Sequence, residues 1–301
     1  MLISGYLFLT GTAMSDLFDF GPKKRLFVVM GNPINHSKSP YIHGLFGLQT
    51  DIKMDYTTMH VDRGGFESAV RNFYANGGTG LNVTVPFKLE ACELADHVHL
   101  FAQKAGAANT LWFDDKGDIH ADNTDGRGLR YDIETNLNVS LKGQRILILG
   151  AGGAVRGVLQ PFLEAGPASI TIANRTVDKA VGLSRDFTGD IEVHGSSYRD
   201  LKGKQFDVVV NGTSASLEGC LLPVPEESVK NAILVYDMMY ADQPTIFMQW
   251  AADLGVKNIH DGIGMLVEQA AEAFAIWNDV RPDTVSVLES LMSKRVAANA
   301  Q

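Results

Sequence analysis

The sequence predicts a two-domain α/β protein, each domain built on a mainly parallel sheet layered with helices. Three observations predict it. The 301 residues are 45% hydrophobic and 20% charged, an ordinary globular profile with chain enough for two cores. Strand-like and helix-like segments alternate along both halves, the order that parallel sheets require. Near residue 150 a buried-type strand opens into a glycine-rich turn followed by a helical pattern, the signature of a Rossmann-type unit.

The elements follow in chain order. Residues 25–30 are a buried-type strand that runs into the turn Gly31-Asn32-Pro33. Ser39-Pro40 reads as a helix N-cap with proline at the first helical position, and the helix carries Ile42, Leu45 and Phe46 inward. Residues 56–61 form a second strand, and Phe66, Ala69, Val70 and Phe73 have helical spacing. Gly77-Gly78 ends that helix, and Asn82-Val83-Thr84-Val85 alternates as a third strand that must stop at Pro86, which cannot donate to a ladder. The second half begins near residue 142, with strands at 145–149, 169–173, 206–210 and 233–237 and a helix over 155–164 after the first of them. Residues 283–296 read as a terminal helix packing back on the structure. The expected units are a substrate-binding, catalytic domain over 23–125 with 264–301, and a dinucleotide-binding domain over 126–263. Residues 1–22 are expected to be a poorly ordered extension, too short in its apolar run to span a bilayer and without the basic start of a signal peptide. Glycine-bearing connections at 125–126 and 262–264 suit a hinge.

A net charge of −9 without a Lys/Arg cluster argues against nucleic acid or an anionic membrane as partner. The two cysteines, Cys92 and Cys220, sit in separate halves without metal-ligand spacing and read as free thiols of a reducing cytoplasm; no metal site is expected. Any anion site must be local.

The turn Gly150-Ala151-Gly152-Gly153-Ala154 supplies one. Glycines after a buried strand let backbone approach a pyrophosphate, and the following helix offers free N–H groups and a positive dipole end. The match is imperfect, because Val155 stands where a third glycine or alanine is usual. The end of the next strand indicates which dinucleotide. Asn174-Arg175-Thr176, with Lys179 a turn later, presents cations and a hydroxyl where an NAD enzyme carries an acid for the ribose, so the cofactor expected is NADP.

Further polar clusters outline a small-molecule site. Ser37 and Ser39 place two hydroxyls at a helix start, which suits a carboxylate. Lys88 lies just past a strand end, where open α/β sheets hold ligands, although it equally reads as the first residue of the next helix. Asn109 follows small residues, and Asp122-Asn123-Thr124-Asp125-Gly126 packs two carboxylates and an amide into a turn that alone reads as ordinary Asx chemistry.

Taken in order, Asn35-His36-Ser37-x-Ser39-Pro40, Asn82-Val83-Thr84-x-Pro86-x-Lys88, Gly106-Ala107-x-Asn109-Thr110, Asn123-Thr124-Asp125-Gly126 and Gly150-Ala151-Gly152-Gly153-Ala154-x-Arg156 closely resemble the shikimate 5-dehydrogenase family, in its bacterial biosynthetic, NADP-dependent branch. The resemblance covers about residues 25–290 and extends to Asn211-Gly212-Thr213-Ser214, Tyr236-Asp237-Met238-Met239-Tyr240 and the block from Gly262 to Ala270. It implies reversible, NADPH-dependent reduction of 3-dehydroshikimate to shikimate, in the route to chorismate and the aromatic amino acids, by a cytoplasmic monomer or homodimer. It implies Lys88 and Asp125 as the catalytic pair. Ser37, Ser39, Asn82, Thr84, Asn109, Tyr240 and Gln269 would hold substrate. Gly150 to Ala154, Asn174, Arg175, Thr176, Lys179, Thr213, Met238 and Gly262 would meet the cofactor, with Lys38 near the rim. The chain departs from the family pattern at Gly44, where asparagine is common, and at Ala215-Ser216, where Gly-Met is often found. Two rivals remain at this point: a quinate/shikimate dehydrogenase using NAD(P), and a non-catalytic NADP-binding sensor.

Overall fold

The computed structural model describes residues 24–299, so the expectation for residues 1–22 lies outside the described residues. The first half runs β1 (Arg25–Gly31), α1 (Ser39–Thr50), β2 (Met54–His60), α2 (Phe66–Ala75), β3 (Gly78–Val83), α3 (Lys88–Leu94), β4 (His97–Val98), α4 (Leu100–Ala105), β5 (Thr110–Phe113) and β6 (Ile119–Asp122). These strands form a sheet of order β2-β1-β3-β5-β6-β4. β1 pairs in parallel with β2 and β3, and β5 runs antiparallel to β3 and β6. The β5–β6 hairpin has no counterpart among the sequence expectations. Its strands are four residues each, too short for a period-2 pattern to register, and its turn is held by Asp114 Oδ1 accepting from the N–H groups of Lys116 and Asp118.

Alternation along β1 and β3 sends side chains to two layers. Val28, Met30, Leu81 and Val83 meet Phe66, Val70 and Phe87 on one face. Phe27, Val29 and Tyr56 meet Ala273 and Trp277 on the other.

The second half runs α5 (Asp125–Tyr131), a π-helical turn Asp132–Asn136, β7 (Arg145–Leu149), α6 (Gly153–Glu164), β8 (Ser169–Ala173), α7 (Val177–Arg185), β9 (Glu192–Ser196), β10 (Val208–Asn211), β11 (Leu234–Asp237), α8 (Ile246–Asp253) and β12 (Ile259–His260), then α9 (Ile263–Asn278) and α10 (Val285–Asn299). The sheet order β12-β11-β10-β7-β8-β9 is all parallel and reverses direction between β7 and β10. That reversal is the topological switch point where doubly wound sheets open a crevice. Helix α9 returns to the first sheet. Its Val267, Ala270, Ala271 and Phe274 pack on Ile42 and Phe46 of α1 and on Val287 and Leu291 of α10.

The expected domain boundaries fall inside α5 and α9 rather than in loops. The glycines there are packing residues, and Gly126, Gly128, Gly262 and Gly264 all lack a positive φ. A Cβ on Gly126 would strike the Gly157 carbonyl of α6, and one on Gly264 would strike the Asp132 carboxylate. At these glycines the backbones of neighbouring elements approach closely. Asp132 closes the same junction: buried, it accepts from Tyr236 Oη at 2.7 Å, and that oxygen accepts from Met265 N–H at 3.1 Å, joining the π-helical turn after α5 to β11 and α9.

Candidate active site

A cleft of about 320 Å³ opens between the C-terminal ends of β1 and β3, α5 and α9 on one side and the loop after β11 on the other. Lys88 reaches it because its neighbours are fixed. Phe87 is fully buried and stacks on Phe66 at 5.1 Å, and the Lys88 carbonyl accepts from Ala108 N–H at 2.8 Å. Lys88 is the first residue of α3, as the helix-start reading has it, and it also lines the cleft. Its Nζ donates to Asp125 Oδ2 at 2.5 Å, while Asp125 Oδ1 accepts from Asn109 Nδ2 at 2.8 Å. The side chain of Lys88 is 30% exposed and that of Asp125 12%, so the pair faces the cleft from a largely dry wall.

Ser37, Lys38 and Ser39 line the cleft at the start of α1. The cap differs from the sequence expectation. Ser37 Oγ, not Ser39, accepts the first free helical N–H, from Ser39 at 3.3 Å, and buried Ser39 lines the cleft with its side chain beside the Tyr56 hydroxyl. Asn82 and Thr84 lie at the end of β3, where Thr84 N–H donates to Met30 O and Asn32 N–H to Val85 O, lacing this loop to the one after β1. Met238 and Tyr240 enter from the loop after β11, Gly262 from the start of α9 and Gln269 from its second turn. Burial, with Asp261 nearby, raises the Tyr240 phenol above its ordinary value, keeping it a neutral donor. Asp122 turns away from the cleft to pair with Arg127 at 2.6 Å, so only one of the two carboxylates in that turn belongs to the site.

The remaining expected residues gather at the edge of the second sheet. Gly150, with φ +106°, ends β7 against Thr213 at the end of β10, which is the switch point. Gly152, Gly153 and Ala154 open α6 and are exposed, and no atom lies within 4 Å of where a Cβ on either glycine would sit. A backbone cradle of this kind fits a pyrophosphate. Val155 is accommodated because Gly212 opposite it has no Cβ to meet its methyl group, which explains the irregular third position. Arg175, Thr176 and Lys179 stand exposed after β8, and Asn174 Nδ2 donates to the Thr176 carbonyl at 2.9 Å, shaping that turn. Thr213 is held by Asn211 Oδ1, which accepts from its N–H and hydroxyl; Asn211 in turn donates to buried Asp237 at 3.1 Å. Arg156 of the same glycine motif bridges the two halves, donating to the Lys104 carbonyl and to Asp186.

Models of three families match consecutive parts of the chain: the shikimate dehydrogenase substrate binding domain over residues 29–111, shikimate / quinate 5-dehydrogenase over 133–233, and the shikimate 5'-dehydrogenase C-terminal domain over 262–292. A shikimate dehydrogenase (NADP(+)) of Marinobacter nauticus is 50% identical over 269 residues, 88% of this chain and 98% of that protein. The chain belongs to the shikimate dehydrogenase family. Among solved structures, an Ael1 enzyme from Pseudomonas putida superposes with a TM-score of 0.86 at 48% identity, covering 89% of this chain and 98% of that one. A Thermus thermophilus shikimate 5-dehydrogenase, solved in complex with NADP(H) and shikimate, superposes at 0.79 with 27% identity, covering 90% and 99%. As a shikimate dehydrogenase family member, the chain keeps the Lys–Asp pair and the glycine turn of the motifs. The apolar wall of Val29, Ile34 and Leu266, by contrast, bears no polar motif and was not legible before folding.

Among the described residues no helix is long and apolar enough to cross a membrane, and no three His, Cys, Asp or Glu side chains are grouped to hold a metal ion.

Proposed function

We propose that this chain catalyses the reversible, NADPH-dependent reduction of 3-dehydroshikimate to shikimate. The observation that carries the reading is the Lys88–Asp125 pair in a cleft that also presents Ser37, Ser39 and Tyr240. The open N-terminus of α6 and the cations Arg175 and Lys179 fit NADP: backbone N–H groups of residues 152–154 would hold the pyrophosphate, and Arg175, Thr176 and Lys179 the 2′-phosphate. Thr213, Met238 and Gly262 would border the nicotinamide half. When bound, NADPH supplies the hydride.

The chain's own residues do the rest. Ser37 and Ser39, with Tyr240, hold the substrate carboxylate. Thr84, Asn82 and Gln269 meet ring hydroxyls. Lys88 Nζ donates a proton to the ketone oxygen as negative charge grows there, and Asp125 holds the ammonium in place. In the reverse direction Lys88 takes that proton back. Asn109, which also lines the cleft, meets a ring hydroxyl beside Asn82 and Gln269, and its amide N–H groups reach Thr124 Oγ1, Asp125 Oδ1 and Gln269 Oε1. The substrate-holding unit is residues 23–125 with 264–301, and the cofactor-holding unit 126–263. The enzyme works in the cytoplasm as a monomer or homodimer. Shikimate and quinate oxidation, each with NADP and with NAD, tests the reading. Turnover is expected with shikimate and NADP, and absence of that activity overturns it.

A further inference from the structure

We propose that Thr110 and Tyr56, neither of which lines the cleft, are positioning residues that hold the two oriented amides of the site, Asn82 and Asn109, in a one-way chain of donors ending on Asp125. The proposal rests on the reading of the cleft as the shikimate site. Tyr56 Oη donates to Asn82 Oδ1 at 2.6 Å, and Asn82 Nδ2 donates to the Asn109 carbonyl at 3.1 Å and to Thr110 Oγ1 at 3.2 Å. Thr110 Oγ1 donates to Asn109 Oδ1 at 2.9 Å, and Asn109 Nδ2 donates to Asp125 Oδ1, whose other oxygen holds Lys88.

Two backbone groups make the direction unique. The atom of Asn82 that faces the Asn109 carbonyl must be a donor, because a carbonyl only accepts. The atom of Asn109 that meets Thr124 N–H at 2.9 Å must be an acceptor, because an N–H only donates. Both amides are therefore oriented, and Thr110, which receives a proton from Asn82, has its own left for Asn109. Thr110 is fully buried, and Tyr56 is 9% exposed and clamped face to face on His43 at 4.2 Å. Neither hydroxyl is exchanged cheaply for water at such depth.

The consequence is a specificity rule. Both N–H bonds of Asn82 are taken and one lone pair of Oδ1 is used by Tyr56, so Asn82 offers the cleft a single acceptor. A ring position facing it must carry a hydroxyl that donates; a ketone or a bare methylene there is disfavoured. Losing Thr110 Oγ1 frees an Asn82 N–H and an Asn109 lone pair together, so each amide keeps its sense through one backbone contact but loses a bond that holds it in place.

Thr110→Val, Thr110→Ser and Tyr56→Phe test this beside the wild type, with shikimate affinity by calorimetry, steady-state KM and kcat, and side-chain amide proton exchange in the ligand-free protein. Thr110→Val and Tyr56→Phe are expected to weaken shikimate binding and raise its KM roughly ten-fold, the scale of one well-placed hydrogen bond, with KM for NADP unchanged. Amide protons of Asn82 should exchange faster in both, and Thr110→Ser, which keeps the hydroxyl, should retain most of what Thr110→Val loses. Unchanged shikimate affinity and amide exchange in Thr110→Val or Tyr56→Phe overturns the proposal, as does a Thr110→Ser defect as large as that of Thr110→Val. Wild-type protein that does not bind shikimate overturns the functional reading instead, and the exchange rates of the three variants still decide for or against the chain of donors.

Discussion

Lys88 Nζ sits 2.5 Å from Asp125 Oδ2, although the two residues are on different helices and 37 positions apart. The distance makes the pair one functional group. Asp125 also accepts from Asn109, so its carboxylate cannot swing away from the lysine without breaking two charge-assisted contacts. Lys88→Ala is expected to lower kcat for shikimate oxidation by about 10²–10⁴-fold, the usual worth of a general acid–base group. KM should change little, since Ser37, Ser39 and Tyr240 remain. Asp125→Asn should lower kcat as well, through a displaced lysine. A Lys88→Ala enzyme turning over near the wild-type rate would assign the lysine to structure alone.

Cofactor choice gives a second prediction. Arg175 and Lys179 stand exposed after β8, where a 2′-phosphate would lie. Replacing both by neutral residues should raise KM for NADP tenfold or more and leave KM for NAD within about twofold, because each phosphate contact is charge-assisted and worth roughly 1.5–3 kcal/mol. Equal effects on the two cofactors would refute the assignment.

Glycine packing gives a third. Gly128 of α5 faces the backbone of Gln269 in α9, and a Cβ there would lie 2.5 Å from the Gln269 nitrogen. Gly128→Ala should cost about 1–3 kcal/mol by overpacking, lower Tm by several degrees, and raise KM for shikimate as Gln269 is pushed aside. Gly44→Ala is the control. It lies exposed in α1 with nothing within 4 Å of its Cβ position, so alanine should stabilise by roughly 0.5–1 kcal/mol. Calorimetric Tm values and shikimate KM check both.

A fourth concerns acid. His43 is fully buried, neither ring nitrogen has a hydrogen-bond partner, and burial lowers its pKa to about 3, with Asn82 opposing weakly. The unfolded chain binds this proton near pH 6.5 and the folded protein does not. Between those values the unfolded state holds more protons, so stability falls as pH falls, by up to ~1.4 kcal/mol per unit. Above pH 6.5 the histidine contributes no slope. His43→Phe should flatten the stability profile between pH 6.5 and 4 by up to one proton, read from denaturant midpoints. Identical slopes in the two proteins would show that His43 is not the proton acceptor.

Much of the molecule was legible before folding. The strand at 145–149 and the glycine turn after it could be read because a parallel strand buried on both faces is continuously apolar, and a phosphate turn needs glycine. The polar motifs were legible for a related reason: buried amides, hydroxyls and charges at fixed spacing are costly unless a ligand or partner uses them. Short elements were not, since β5 and β6 have four residues each and leave no periodic signal.

Pairing is a different matter. Sequence spacing determined that Lys88, Asn109 and Asp125 are present and where each lies along the chain. Their meeting depended on α3, the start of β5 and α5 converging, which in turn depends on Phe87 finding Phe66 and on Gly126 and Gly128 letting three helices touch. The roles of Tyr56 and Thr110, the release of Ser39 from its cap, and the packing duty of the junction glycines appeared only with the coordinates. Hydrogen-bond sense and backbone approach are properties of three-dimensional neighbours, and a linear pattern records residue types without recording which of them face one another.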